Sequence, residues 1–136
     1  MPMQTLYLLW AAILSSPVMM GGIGWFLLTP QNAIDPVLLW VLAGAAFALS
    51  IAAQTVPVLL IASIDPPVVF ILRWAMLEGI AVFGVIARVL GAPIDQFLAF
   101  IVASLFMLVL NRPKKETLDA LAELKERQRQ SSQTGA

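Results

Sequence analysis

A single carboxylate, Glu78, lies near the middle of a 23-residue apolar stretch that runs from Val68 to Leu90. A hydrocarbon core of about 30 Å takes about 20 helical residues to cross, so a spanning helix here would hold Glu78 near the bilayer midplane. A charge at that depth costs about 2.5–3.5 kcal/mol or more on insertion scales. We therefore expect Glu78 to be neutral, to face the protein interior and to be a candidate proton-binding residue.

The nearest cation along this stretch, Arg73, is badly placed to neutralise Glu78. The two residues are five positions apart, which separates them by about 140° around a helix. An ion pair within one helix needs a spacing of three or four. A partner must therefore come from another segment or another subunit, and Ser50 and Gln54 are the candidates within this chain.

The composition indicates a multi-pass membrane protein. The chain has 136 residues, 60% hydrophobic and 12% charged, and a mean hydropathy of +0.91, whereas soluble domains are about 45–50% apolar and about 25% charged. With no cysteine or histidine, thiol chemistry and an ordinary zinc site are excluded. We expect no metal, no cofactor and no nucleic-acid partner. Because no nucleophile–base set is evident, we also expect no enzymatic activity.

The pattern predicts an all-α fold, an integral membrane four-helix bundle. Spanning helices are expected at about 5–28, 36–62, 68–90 and 94–110, within a transmembrane domain covering 1–112. Pro17 and Pro57 are expected to kink the first two helices. Because of Pro57, two positions are considered for the C-terminal end of the second helix, near Gln54 or at Ala62. The longer helix is favoured. The remaining residues, 113–136, are predicted to be a cytoplasmic tail with a short amphipathic helix to about Gln130 and a disordered end.

Small residues recur at helical spacing in two of these segments. Gly44, Ala48 and Ala52 form one ridge at four-residue spacing, and Ala75 and Gly79 form a pair on the third segment. Small residues let helix backbones approach closely in membranes. We expect both sets to lie at close helix contacts.

Basic residues predict the orientation. Arg112, Lys114 and Lys115 directly follow the last apolar segment, and short cytoplasmic segments next to membrane helices are rich in Lys and Arg. This places the C terminus in the cytoplasm, and four spans place the N terminus there too. The expected location is the cell inner membrane.

Residues 40–90 resemble the hairpin of the rotary ATPase proteolipids, the c subunits. The resemblance rests on Glu78 in an aliphatic run, the following Phe83-Gly84 pair, and a preceding helix rich in glycine and alanine. It implies a proton-handling oligomer. The family's polar loop is missing here, where Asp65-Pro66-Pro67 stands instead, and extra segments flank the hairpin.

The whole chain resembles small four-helix bacterial membrane proteins of unassigned activity. Leu77-Glu78, Phe83-Gly84 and Arg112-Pro113 carry this second resemblance, which implies no particular activity.

Three functions are weighed. The preferred one is a non-enzymatic accessory or assembly protein of the inner membrane, in a homo-oligomer or a larger membrane complex. The alternative is a proteolipid-like oligomer that binds protons at Glu78, because burial would favour the neutral form of this side chain. The third is a small proton-coupled exporter, disfavoured because such exporters carry the glutamate in the first helix, which has no acid here.

Overall fold

The structure is a computed structural model that describes residues 1–135, and within them it is all-α with five helices. The helices are α1 (Met3–Phe26), α2 (Pro36–Leu59), α3 (Pro66–Val89), α4 (Ile94–Leu110) and α5 (Lys115–Thr134). The position at which α2 starts follows from the local sequence. Asp35 precedes Pro36 and accepts a hydrogen bond from the backbone N–H of Val37 at 2.8 Å, and proline is well suited to the first helical position.

Helix α3 is the centre of the fold. It contacts each of the other four helices, whereas α2 packs chiefly on α3 alone. Phe70, Trp74 and Leu77 of α3 are almost completely buried. The helix that carries Glu78 is therefore also the one that the other helices cover.

The ends of the helices differ from expectation by a few residues. Helix α2 continues through Pro57 but ends at Leu59, before the expected Ala62. The N–H groups of Ser63 and Ile64 both donate to the carbonyl of Leu60, so the chain turns there. Helices α1 and α3 start and end slightly earlier than predicted, and α4 has the predicted limits.

Glycines set the closest approaches between helices. A Cβ on Gly24 of α1 would come within 2.1 Å of the Phe97 ring of α4, and one on Gly84 of α3 would come within 2.6 Å of Phe100 Cβ. In the turn between α3 and α4, Gly91 has φ +110°, and a Cβ there would collide with the carbonyl of Asn32. This turn and the α1–α2 loop therefore pack together at one end of the molecule.

Three helices, α1, α2 and α3, are long and apolar enough to cross a membrane. Helix α4 is apolar but has only 17 residues, and it meets α5 at a bend of 74°. The bundle thus contains three full-length candidate spans, one shorter apolar helix and a polar fifth helix.

Helix α5 docks against the loop between α2 and α3. Leu121 is buried, and the ammonium group of Lys125 donates to the carbonyl of Ile64 at 2.9 Å and to the carboxylate of Asp65 at 2.6 Å. The helix continues to Thr134, so the expectation of a disordered end from residue 131 is wrong as far as Gly135. The last residue, Ala136, lies outside the described residues.

Replacing Gly24 by alanine is expected to destabilise the bundle by about 1–3 kcal/mol, because the new methyl group overpacks the Phe97 ring. The matched control is Gly22→Ala, since a Cβ at Gly22 meets nothing within 4 Å. Thermal unfolding in detergent measures both. Equal melting temperatures for the two variants would contradict the close α1–α4 contact.

Acid is expected to release the distal half of α5. The hydrogen bond from Lys125 and its charge hold the pKa of Asp65 below the ordinary value of 3.8, with Arg129 and the amino terminus adding to the effect. A lowered pKa in the folded state means that the contact is complete above about pH 3.8 and is lost as pH falls through the lowered value.

Spin labels can measure this release because the chain has no cysteine. Labels on Ser63→Cys and Gln128→Cys should give a constant distance from pH 7 to pH 5 and a broader, longer distribution once the pH falls below about 3.8 and through the lowered pKa of Asp65. Asp65→Asn should give the broad distribution already at pH 7. An unchanged distance at about pH 2 would show that Leu121 and the bond from Lys125 to the Ile64 carbonyl hold α5 without the ion pair.

Candidate functional site

Glu78 lies near the middle of α3 and accepts a short hydrogen bond from the hydroxyl of Ser16 on α1. Both side chains are half-buried. Ser16 directly precedes Pro17, which has no N–H to donate within α1. The carboxyl therefore has a polar partner on the neighbouring helix α1.

The predicted partners of Glu78 are wrong. The hydroxyl of Ser50 donates to the carbonyl of Phe47 in its own helix, and neither Ser50 nor Gln54 bonds to Glu78 in the described part of the chain. The reason is the position of α2, which packs beside Gly79, one residue further along α3. A residue step turns the helix by about 100°, so Glu78 faces α1 instead.

Glu78 is also less buried within the protein than expected. It is half-buried, at the border of a strip of α3 that neither α1 nor α2 covers. Ala75, Val82 and Ile86 are exposed along that strip. Because the strip is apolar, the carboxyl has an apolar surface on one side and the Ser16 hydroxyl on the other.

Arg73 makes no ion pair with Glu78, as the 140° separation predicts. Its Nε donates to the carbonyl of Ala53 on α2 at 3.1 Å. Pro57, four residues after Ala53, cannot supply the usual helical N–H to that carbonyl. The guanidinium therefore replaces the donor that proline lacks, and Arg73 and Glu78 bind opposite neighbours of α3.

The predicted packing ridge on α2 faces away from the rest of the chain. Gly44 and Ala48 are exposed and Ala52 is half-buried, and a Cβ on Gly44 would meet nothing within 4 Å. Leu42, Ala46 and Ala53 turn toward α3 instead, so Gly44 and Ala48 lie outside the α2–α3 contact, and the expected close helix contact of this ridge stays a prediction.

The second small-residue pair divides between two environments. A Cβ on Gly79 would lie 2.7 Å from the Leu49 side chain, so this glycine permits the close α2–α3 approach. Ala75 is exposed on the open strip of α3. Only Gly79 of the pair therefore lies at a helix contact within the chain.

An apolar groove of about 420 Å³ separates α2 from α4. Ile80 of α3 lines it between the two helices, and small or aromatic side chains line its walls. These wall residues are Ala43, Ala46, Phe47, Ser50, Ala99, Phe100, Ala103, Phe106 and Met107. The groove lies beside the outward ridge of α2, so this side of the molecule is apolar and irregular.

Two tryptophans donate hydrogen bonds to carbonyls at the C-terminal end of α4. Trp10 Nε1 donates to the carbonyl of Leu108 at 2.9 Å, and Trp74 Nε1 donates to the carbonyl of Asn111 at 2.8 Å. The last carbonyls of a helix have no partners within it. Ser16 was not among the predicted partners of Glu78, and its one signal in the sequence is its place beside Pro17 in an apolar segment.

No protein-family model, curated protein or solved structure matches this chain. The class that the fold defines is an all-α protein with helices able to span a membrane.

Replacing Ser16 by alanine is expected to lower stability by about 0.5–1.5 kcal/mol, the net contribution of one hydrogen bond. Ser15→Ala is the matched control, because Ser15 is exposed and donates to Ala12 in its own helix. Unfolding in detergent gives the stability difference. Infrared difference spectra against Glu78→Gln should show the Glu78 carboxyl band shifting in Ser16→Ala and unchanged in Ser15→Ala. A band insensitive to both serines would remove Ser16 as the partner.

Proposed function

We propose that this chain is a multi-pass protein of the inner membrane with both termini on the cytoplasmic side. Its apolar helices support membrane insertion, since every backbone polar group in lipid must be satisfied within the protein. Trp10 in the first half of α1 bonds to the carbonyl of Leu108 near the end of α4, and Lys125 of α5 bonds to Asp65 in the α2–α3 loop. The start of the chain, the α2–α3 loop and the tail therefore share one end, as an even number of spans requires.

Charge distribution supports the cytoplasmic assignment of that end. Residues 112–136 hold six basic and four acidic side chains, whereas residues 1–111 hold only Arg73 and Arg88 as basic ones. Arg112, Lys114 and Lys115 follow α4 at once, and all three are exposed. Lys and Arg next to membrane helices favour the cytoplasmic side.

Within that membrane, the chain acts as a non-enzymatic accessory or assembly subunit. The observation that carries this proposal is the outward ridge of Gly44 and Ala48 on a helix that packs chiefly against α3. Lipid tails give such small residues little to contact, whereas another membrane helix can approach them closely and gain dispersion energy. The expected partner is a spanning helix of another subunit, in a homo-oligomer or a larger complex.

The proton-handling alternative has its own supporting observation. Glu78 borders the open strip of α3, so a second subunit or a lipid-facing partner could reach it without unfolding the bundle. The proteolipid resemblance covers α2 and α3, the two helices that present the ridge and the carboxyl. Under this alternative Glu78 takes up and releases a proton at the surface of an oligomer.

Ala48→Leu should weaken assembly while leaving the isolated bundle intact, because the added bulk overpacks a contact between subunits by about 1–3 kcal/mol. Purification in mild detergent followed by native mass spectrometry gives the stoichiometry and the co-purifying chains. Ala11→Leu is the control, since Ala11 is exposed on α1 away from the ridge. If Ala48→Leu keeps every partner and the same stoichiometry, the ridge faces lipid and this proposal fails.

Glu78→Gln separates the two functions in the same preparation. Under the accessory function the variant should assemble normally, and no proton-dependent activity should be lost. Under the proton-handling function the native protein should form a ring of identical copies and react at Glu78 with a hydrophobic carbodiimide. A single copy within a mixed complex, with an unreactive Glu78, would exclude that alternative.

A further inference from the structure

The end of the molecule opposite α5 holds one basic residue, Arg88. It lies two residues before the C-terminal cap of α3 and is half-buried. Its Nε lies 3.4 Å from the carbonyl of Gly24, and its Nη1 donates to the carbonyl of Ala92 at 2.8 Å. Over residues 1–135, Nη2 has no protein acceptor. The guanidinium is thus fixed on one side and free to bind a ligand on the other.

A cavity of about 210 Å³ lies beside Arg88, where α1 runs into its following loop. Leu27, Leu28 and Val89 supply aliphatic lining, and Thr29 and Arg88 supply the polar side chains. Pro30 completes the lining. The lining therefore combines aliphatic side chains with a hydroxyl and a cation.

Among residues 1–135, no carboxylate forms an ion pair with this cation. Asp35 accepts from the N–H of Val37 at the start of α2, and Asp95 is exposed in the first turn of α4. The only ion pair among the described residues joins Lys125 to Asp65, at the other end of the molecule. Because an unpaired, half-buried guanidinium is costly, the cavity favours an anionic group.

We propose that Arg88 and Thr29 bind the phosphate of a membrane phospholipid, with the start of its acyl chains against Leu27, Leu28 and Val89. A guanidinium forms strong charge-assisted hydrogen bonds with phosphate. Trp25, half exposed near the end of α1, is the residue type that marks the headgroup level. The aliphatic lining favours a lipid phosphate over a free phosphate ion, because a free ion needs no apolar contact.

This inference rests on the proposed membrane location, so the two are tested separately. Carbonate extraction of membranes should leave the chain in the pellet, and release into the supernatant would refute the location itself. For the site, the delipidated protein in detergent is heated with phosphatidylglycerol, with diacylglycerol or with inorganic phosphate. Only phosphatidylglycerol should raise the unfolding temperature, since it alone offers both phosphate and acyl chains.

Two variants remove the site in different ways. Arg88→Gln should weaken retention of phosphatidylglycerol in native mass spectrometry roughly tenfold, because it removes charge-assisted hydrogen bonds. Thr29→Phe should do so by filling the cavity while keeping both carbonyl bonds of Arg88, so it remains informative if Arg88→Gln does not fold. Lys114→Gln, at the opposite end, should leave retention unchanged. Stabilisation by inorganic phosphate or diacylglycerol alone, or undiminished lipid retention in Thr29→Phe, would overturn the proposal.

Discussion

The bundle depends on donors for main-chain carbonyls that helical bonding leaves without partners. An unpaired backbone group in an apolar environment costs free energy comparable to a lost hydrogen bond, and in lipid no water is present to replace it. Long polar side chains fill this need at each end of the bundle. Trp10 and Trp74 donate to carbonyls at the end of α4. Arg73 donates to the Ala53 carbonyl, for which Pro57 supplies no N–H. Arg88 donates to carbonyls at the end of α1 and in the turn after α3. Most of these donors come from α3, which is why that helix has to be central.

The same constraint separates the polar groups by role. Arg73 and the tryptophans are engaged with backbone carbonyls inside the bundle, so they hold helices together. Glu78 is different because it acts here as an acceptor, of a hydrogen bond from the hydroxyl of Ser16. Arg88 is intermediate, with one side bonded to the protein and, over residues 1–135, no protein acceptor for Nη2. Among these side chains, Glu78 at mid-helix and Arg88 at one end therefore have unused hydrogen-bonding capacity.

The surface of the bundle is divided along similar lines. Helix α3 is largely covered, whereas α1 and α2 expose most of their apolar side chains. Exposed Trp40, Phe47 and Ile51 on α2 suit a lipid or protein environment of low polarity, and large apolar patches on a surface mark interaction sites. The small residues Gly44 and Ala48 lie on this exposed face, where they allow close approach by a helix from outside the chain.

The sequence by itself determined the all-α class and the approximate starts of α2, α3 and α4. Apolar run length, Asp-Pro pairs at helix starts and the Gly91 turn are local signals, so α2, α3 and α4 begin at or within two residues of where the pattern places them. It also determined that Arg73 and Glu78 do not pair, since that depends only on the rotation of one helix. The tertiary structure alone decided which neighbour each face of a helix meets. Gly44, Ala48 and Ala52 form a ridge on any helix, but the direction of that ridge depends on how α2 rotates against α3. The sequence indicated Ser50 and Gln54 as partners for Glu78, whereas the donor is Ser16 because α1 packs beside Glu78. A hydrogen bond between helices depends on packing that no local spacing encodes.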